Sequence, residues 1–200
     1  MSKLIDLEQF DVELLNDNFK KLQKVLDVNE LEDVIRKLGI IKNEKVSISS
    51  FDYKCLKNIP GIYVFYIKFK NGQNIIEFQR QWDEYKGKDK NNKISAINSS
   101  NANTYGNDND KQEGAEYVLY LGKTESSLEE RLSQHIEKCT KGVYALKLFD
   151  FPNLSDYDIM CESYFFEEDM KIDDVTVKVL LVLFEKTLHK KMKPLIGTSK

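Results

Sequence analysis

The sequence predicts an α+β fold, and three observations carry that prediction. Residues 61–70 (GIYVFYIKFK) and 117–122 (YVLYLG) are rich in β-branched and aromatic side chains, the composition of strands. Ser127-Leu128-Glu129-Glu130 has the spacing of a capping box, and Leu128, Leu132 and Ile136 extend it as an apolar stripe at i, i+4, i+8. Val179 to Phe184, the most apolar stretch, lies between Asp173 and Asp174, both good helix N-caps, and Pro194, which stops a helix.

From the N-terminus, residues 7–39 read as helical. Leu14, Phe19, Leu22, Val25 and Leu26 recur at helical spacing, and a second short helix runs from about Asn29 to Gly39. Residues 46–56 are mixed and fit a short strand, and Pro60 marks a boundary. The strand 61–70 leads into Asn71-Gly72, a strong hairpin signal, so residues 74–82 are expected as the return strand. Residues 84–114 are dense in Asn, Lys, Asp, Ser and Gly and read as a long polar loop or insertion. Order returns at Glu116. A helix from Ser127 to about Lys138, a third strand over Ile159 to Glu167 and a last helix from Asp173 or Asp174 to Lys193 complete the chain.

With 200 residues, 41% of them hydrophobic, the chain can bury a core without disulfides or metal staples. Cys55, Cys139 and Cys161 are an odd number without metal-ligand spacing, so they read as thiols in a reducing compartment. The first ten residues carry acids, unlike a signal peptide, and the longest apolar run is too short to span a bilayer. A soluble, cytoplasmic protein without a membrane partner is expected. No P-loop, dinucleotide fingerprint or Cys/His zinc spacing appears, and two histidines are too few for a His-rich metal site. The net charge of −3 counts mildly against nucleic acid, although binding depends on local patches. Lysines do gather at Lys86, Lys88, Lys90 and Lys93 and at Lys186, Lys190, Lys191 and Lys193. Such runs are more often solvated faces than binding sites.

Five features stand in order: Gly61-Ile62-Tyr63 on a strand, Tyr120-Leu121-Gly122 ending a strand, Arg131 and His135 on one helix, and Glu185 on a later helix. This order resembles the GIY-YIG nuclease family over about residues 59–197, with residues 117–135 the most specific block. The resemblance implies a small three-stranded antiparallel sheet flanked by helices, with the two tyrosine-bearing strands side by side. It divides the chain into an N-terminal helical extension (1–58) and a catalytic domain (59–200) with an insertion at about 84–114. It implies a metal-dependent endonuclease that hydrolyses phosphodiester bonds, with Mg²⁺ or Mn²⁺ as cofactor and nucleic acid, foremost double-stranded DNA, as partner. A restriction-type enzyme is one form of this. The N-terminal helices would then read DNA or build a homodimer, and the insertion is a second candidate reader. Two departures stand out: the second tripeptide is YLG rather than YIG, and Pro194-Leu195-Ile196-Gly197 lacks the asparagine that members often place after the glutamate helix. Either that group is dispensable, or the loop supplies it, or activity is weak.

Each position also has a plainer reading. Tyr63 is either a core tyrosine with a satisfied hydroxyl or a phenol that helps deprotonate water, which needs a pKa lowered by a nearby cation. Tyr120 has the same two readings. Gly122 suits a turn out of the strand, with close approach of a phosphate as the functional extra. Lys123 either contacts that phosphate or is solvated. Arg131 and His135, four apart, share a helix face bordering the apolar stripe, so Arg131 points toward the sheet. It can grip a phosphate bidentately or pair with Glu130. His135 hydrogen-bonds a tyrosine or the phosphate, or is structural. Glu185, four residues after Leu181, is the candidate metal ligand; the alternative is a pair with His189 or Lys186. Two rival functions remain: a catalytically weak binding module of the same fold, and an unrelated interaction protein in which these residues do not meet.

Overall fold

The computed structural model describes residues 40–88, 93–106, 114–137, 142–166 and 173–197. They belong to one compact unit that begins at Ile40. The helices expected over 7–39, and Cys139, lie outside the described residues.

The elements in chain order are β1 (Ile40–Lys42), β2 (Val46–Ser47), β3 (Gly61–Phe69), α1 (Ile75–Lys88), α2 (Ser99–Gly106), β4 (Glu116–Thr124), α3 (Leu128–Ile136), β5 (Tyr157–Phe166) and α4 (Asp174–Met192). The fold is α+β, and its antiparallel sheet has five strands rather than three. β3 is central, between β4 and β5, and β1 and β2 both pair with β5. Residues 40–47, grouped with the N-terminal extension on sequence, are therefore strands of this sheet. The short strand expected within 46–56 is β2, only two residues long, and Tyr53–Leu56 form a 3-10 turn instead; three residues are too few to show an alternating pattern, so the sequence does not announce β1.

β3 is buried almost throughout because both of its faces are covered. Tyr63, Phe65, Ile67 and Phe69 join a core with Phe78, Trp82, Leu128 and Leu132. On the opposite face Ile62 and the α4 residues Leu181 and Phe184 border one small apolar pocket. In register, Tyr63 stands opposite Gly122 on β4 and Ser163 on β5.

Residues 74–82 do not return as a strand. Asn71 and Gly72 do form the expected tight turn, both with positive φ (54° and 72°). The chain then enters α1, where the Asn74 side chain accepts the Glu77 N–H. Ile75, Phe78, Trp82 and Tyr85 are its buried residues, a helical spacing that outweighs the hairpin signal. Much of the polar insertion is also ordered. Ile94 and Ile97 make isolated bridges to Ala145 and Ile196, and α2 follows. Its asparagines satisfy backbone: Asn98 Oδ1 accepts from the Asn101 N–H, and Asn101 Nδ2 donates to the Pro194 carbonyl. Polar composition here marks capping and cross-linking rather than an unstructured loop.

The remaining elements follow the sequence closely. Ser127 caps α3 and Asp173 caps α4, and α4 ends with Lys193 in the left-handed region. β5 spans the expected third strand, with Cys161 in the core; Cys55 is exposed. Among the described residues no helix is long and apolar enough to cross a membrane.

Candidate active site

β3 and β4 place Tyr63 and Tyr120 side by side, their rings stacked at 6.2 Å with 24° between planes. α3 lies against them. Its His135 ring centroid is 5.1 Å from that of Tyr63 and 4.9 Å from that of Tyr120. Arg131, one turn earlier, donates from Nε to the Tyr63 Oη at 3.1 Å. Its Nη1 donates to Gln134 Oε1 and its Nη2 to the Tyr144 carbonyl. The ion pair with Glu130 weighed on sequence is not what holds it. Each terminal nitrogen keeps a second N–H beyond these bonds.

The tautomer of His135 follows from its partners. Its Nδ1 accepts the Leu146 N–H at 3.1 Å, so Nδ1 carries no proton. The proton is therefore on Nε2, which donates to Tyr63 Oη at 3.0 Å. Burial, with the Arg131 charge adding to it, holds the His135 pKa well below the usual histidine value, so the ring is neutral. Both ring nitrogens are committed, and His135 orients Tyr63.

Tyr63 Oη thus accepts two hydrogen bonds in a fully enclosed position, with 0% exposure. Burial first, and then Tyr120, push its pKa well up, while Arg131 opposes them. Tyr120 is different. It lines a cavity of about 480 Å³ together with Arg131, Tyr144, Glu185, His189, Gly197 and the Ser95–Ile97 segment. Its pKa is raised by burial, with Arg131 pulling it down and Glu185 pushing it up. Arg131 also lies near enough to hydrogen-bond the Tyr120 phenol.

Gly122 is inside β4 and buried, so it does not serve a turn. A Cβ there would stand 2.5 Å from Tyr63 Oη and 2.9 Å from a Tyr120 ring carbon. The missing side chain makes room for Tyr63, and that phenol occupies the space a phosphate would need. Lys123 pairs with Glu125 at 2.6 Å and does not line the cavity.

Glu185 and His189, one turn apart on α4, reach the cavity at the β4 edge. The segment 195–197 covers part of that edge: the Leu195 and Ile196 N–H groups donate to the Val118 and Leu119 carbonyls. Beyond it, His189 Nε2 donates to the Leu121 carbonyl at 3.1 Å. The Glu185 pKa is raised by burial, with the ammonium and backbone N–H of Lys123 lowering it. Glu185 and His189 are thus not an ion pair. A helix advances about 6 Å in four residues and a strand about as far in two, so this spacing matches Leu121 and Lys123.

Tyr120, Arg131 and Glu185 therefore share one cavity, and Tyr63 and His135 support it from behind. Sequence reasoning missed the cavity roles of His189, Tyr144 and the Ser95–Ile97 segment. Only the Glu185/His189 spacing was available as a signal. Among the described residues no three His, Cys, Asp or Glu side chains gather into a metal cage. A half-buried carboxylate that lines the cavity, with no ion pair among the described residues, still suits a hydrated Mg²⁺ or Mn²⁺, which keeps most of its waters. No family model, curated protein or solved structure matches the chain.

Proposed function

We propose that the protein is a metal-dependent endonuclease of the GIY-YIG type, hydrolysing phosphodiester bonds in nucleic acid, foremost double-stranded DNA. The observation that carries the reading is the shared cavity: a phenol (Tyr120), a guanidinium (Arg131) and a carboxylate (Glu185) from three separate elements line one opening. Those are the groups a phosphoryl site needs for water, for an anionic phosphate and for a hard cation.

Glu185 would hold the divalent ion, which supplies Lewis-acid stabilisation of the phosphate and the leaving oxygen. Arg131 presents its charge and the N–H its bonds leave free to the anionic phosphate and stabilises the charge that grows at phosphorus. Its position is set by Tyr63, Gln134 and the Tyr144 carbonyl. Tyr120, the phenol on the cavity, orients the attacking water and, once its own proton has passed to solvent, accepts the water's proton as the phenolate, with Arg131 lowering the cost of that phenolate against burial. Tyr63 and His135 are positioning residues. Gly122 contributes space for Tyr63, and Lys123 acts through the field it places on Glu185. Lys93 Nζ, 5.3 Å over the exposed Tyr144 ring, stands at the rim, where a nucleic-acid backbone would pass.

Supercoiled plasmid incubated with Mg²⁺ or Mn²⁺ tests the reading. Cutting by the wild type should disappear in EDTA, in Glu185→Gln and in Tyr120→Phe. Cutting that persists in Glu185→Gln would overturn the metal assignment. A mobility shift without cutting would favour the binding module, the reading supported by the net charge of −3 and by the segment 194–197, which has no asparagine.

A further inference from the structure

His189 is the second histidine of the chain, and the mechanism above leaves it unused. Its side chain is nine-tenths buried, yet it lines the same cavity as Glu185. A carbonyl oxygen can only accept, so the 3.1 Å contact with Leu121 fixes the proton on Nε2. Nδ1 is then a bare lone pair, and no hydrogen-bonding group among the described residues takes it. Helical side chains lean toward their own N-terminus, which directs this ring toward position 185. Two ligands at i, i+4 on one helix face can chelate a single ion, and a metal-bound imidazole ordinarily gives its other N–H to a backbone carbonyl.

We infer that His189 is a second protein ligand of the divalent ion held by Glu185, binding through Nδ1. The inference rests on the metal site proposed above. An oxygen–nitrogen pair favours ions that accept imidazole over Mg²⁺, which prefers oxygen throughout. Mn²⁺ should therefore bind more tightly than Mg²⁺, and the Mn²⁺ preference should depend on His189.

The direct test is electron spin-echo spectroscopy of Mn²⁺ bound to the untagged full chain, read for modulation by a directly coordinated imidazole nitrogen. His135 has both ring nitrogens engaged, so a nitrogen signal would come from His189. The wild-type spectrum needs no variant, so it decides even if a substitution unfolds the protein. His189→Gln retains an N–H donor for the Leu121 carbonyl but has no imidazole. It should lose the nitrogen modulation, and its Mn²⁺ affinity by calorimetry should fall about tenfold or more while Mg²⁺ affinity changes little. Mn²⁺ binding that is abolished by Glu185→Ala but carries no nitrogen modulation would overturn this inference and leave the metal site standing. A wild type that binds no Mn²⁺, or binds it equally in Glu185→Ala, would overturn both.

Discussion

The Oη of Tyr63 lies 2.5 Å from the point where a Cβ on Gly122 would stand, so the tyrosine on β3 and the glycine opposite it on β4 occupy one space between them. Gly122→Ala forces the enclosed phenol off its bonds to Arg131 and His135. Overpacking of this kind costs about 1–3 kcal/mol. Chemical unfolding should show that loss, with cutting reduced alongside. Combined with Tyr63→Phe, which removes the nearest atom, the two changes should cost less than their sum. Full additivity would mean the strand shifts to admit the methyl group.

The two phenols should separate by assay. Tyr63→Phe leaves the Arg131 Nε–H and His135 Nε2–H without their buried acceptor, a cost of about 1–3 kcal/mol in stability. Tyr120 faces the cavity, so Tyr120→Phe should leave unfolding almost unchanged and remove cutting. Equal stability losses in the two variants would count against the assignment of the water to Tyr120.

Arg131→Lys keeps the charge and loses the fork. A lysine cannot span Tyr63, Gln134 and the Tyr144 carbonyl together. Single-turnover cutting should fall about a hundredfold or more, the scale of losing an oriented charge donor. A rate near that of the wild type would show that charge alone suffices.

Acid should weaken the fold through His135. Its folded pKa is depressed below the unfolded value of about 6.5. As pH falls through that value the unfolded chain takes up a proton that the folded chain refuses, so stability is full above it and is lost below. The loss from this ring between about pH 7.5 and pH 5.5 approaches about 1.4 kcal/mol. His189 adds in the same direction, since burial lowers its pKa too. Urea unfolding at the two pH values should show a smaller drop in His135→Gln than in the wild type. An identical drop would remove His135 as the cause.

Local patterns served where an element is long and its chemistry one-sided. β3 and β4 announce themselves by aromatic and β-branched runs, and α3 and α4 by caps and periodic leucines. The same reasoning failed at α1, where Asn71-Gly72 makes the tight turn of a hairpin but the following Ile75, Phe78 and Trp82 keep helical time. It failed at β1, and it left β2 as an ill-defined stretch of 46–56, because both strands depend on β5 offering an edge. It also misread the asparagines near residue 100, because their value lies in carbonyls 99 and 93 residues away.

The sequence by itself determined which side chains are available, and their order: two tyrosines on strands, Arg131 and His135 one turn apart, and Glu185 on an apolar helix. Only the tertiary structure decided which phenol meets the cavity, that Gly122 yields its volume to Tyr63, and that His189 presents a bare nitrogen there. Periodicity along a chain reports which face of an element is apolar. It carries no information about which carbonyl on another strand a histidine will find. The His135 and His189 tautomers follow from Leu146 and Leu121, residues that have no polar side chain and act through their backbone alone.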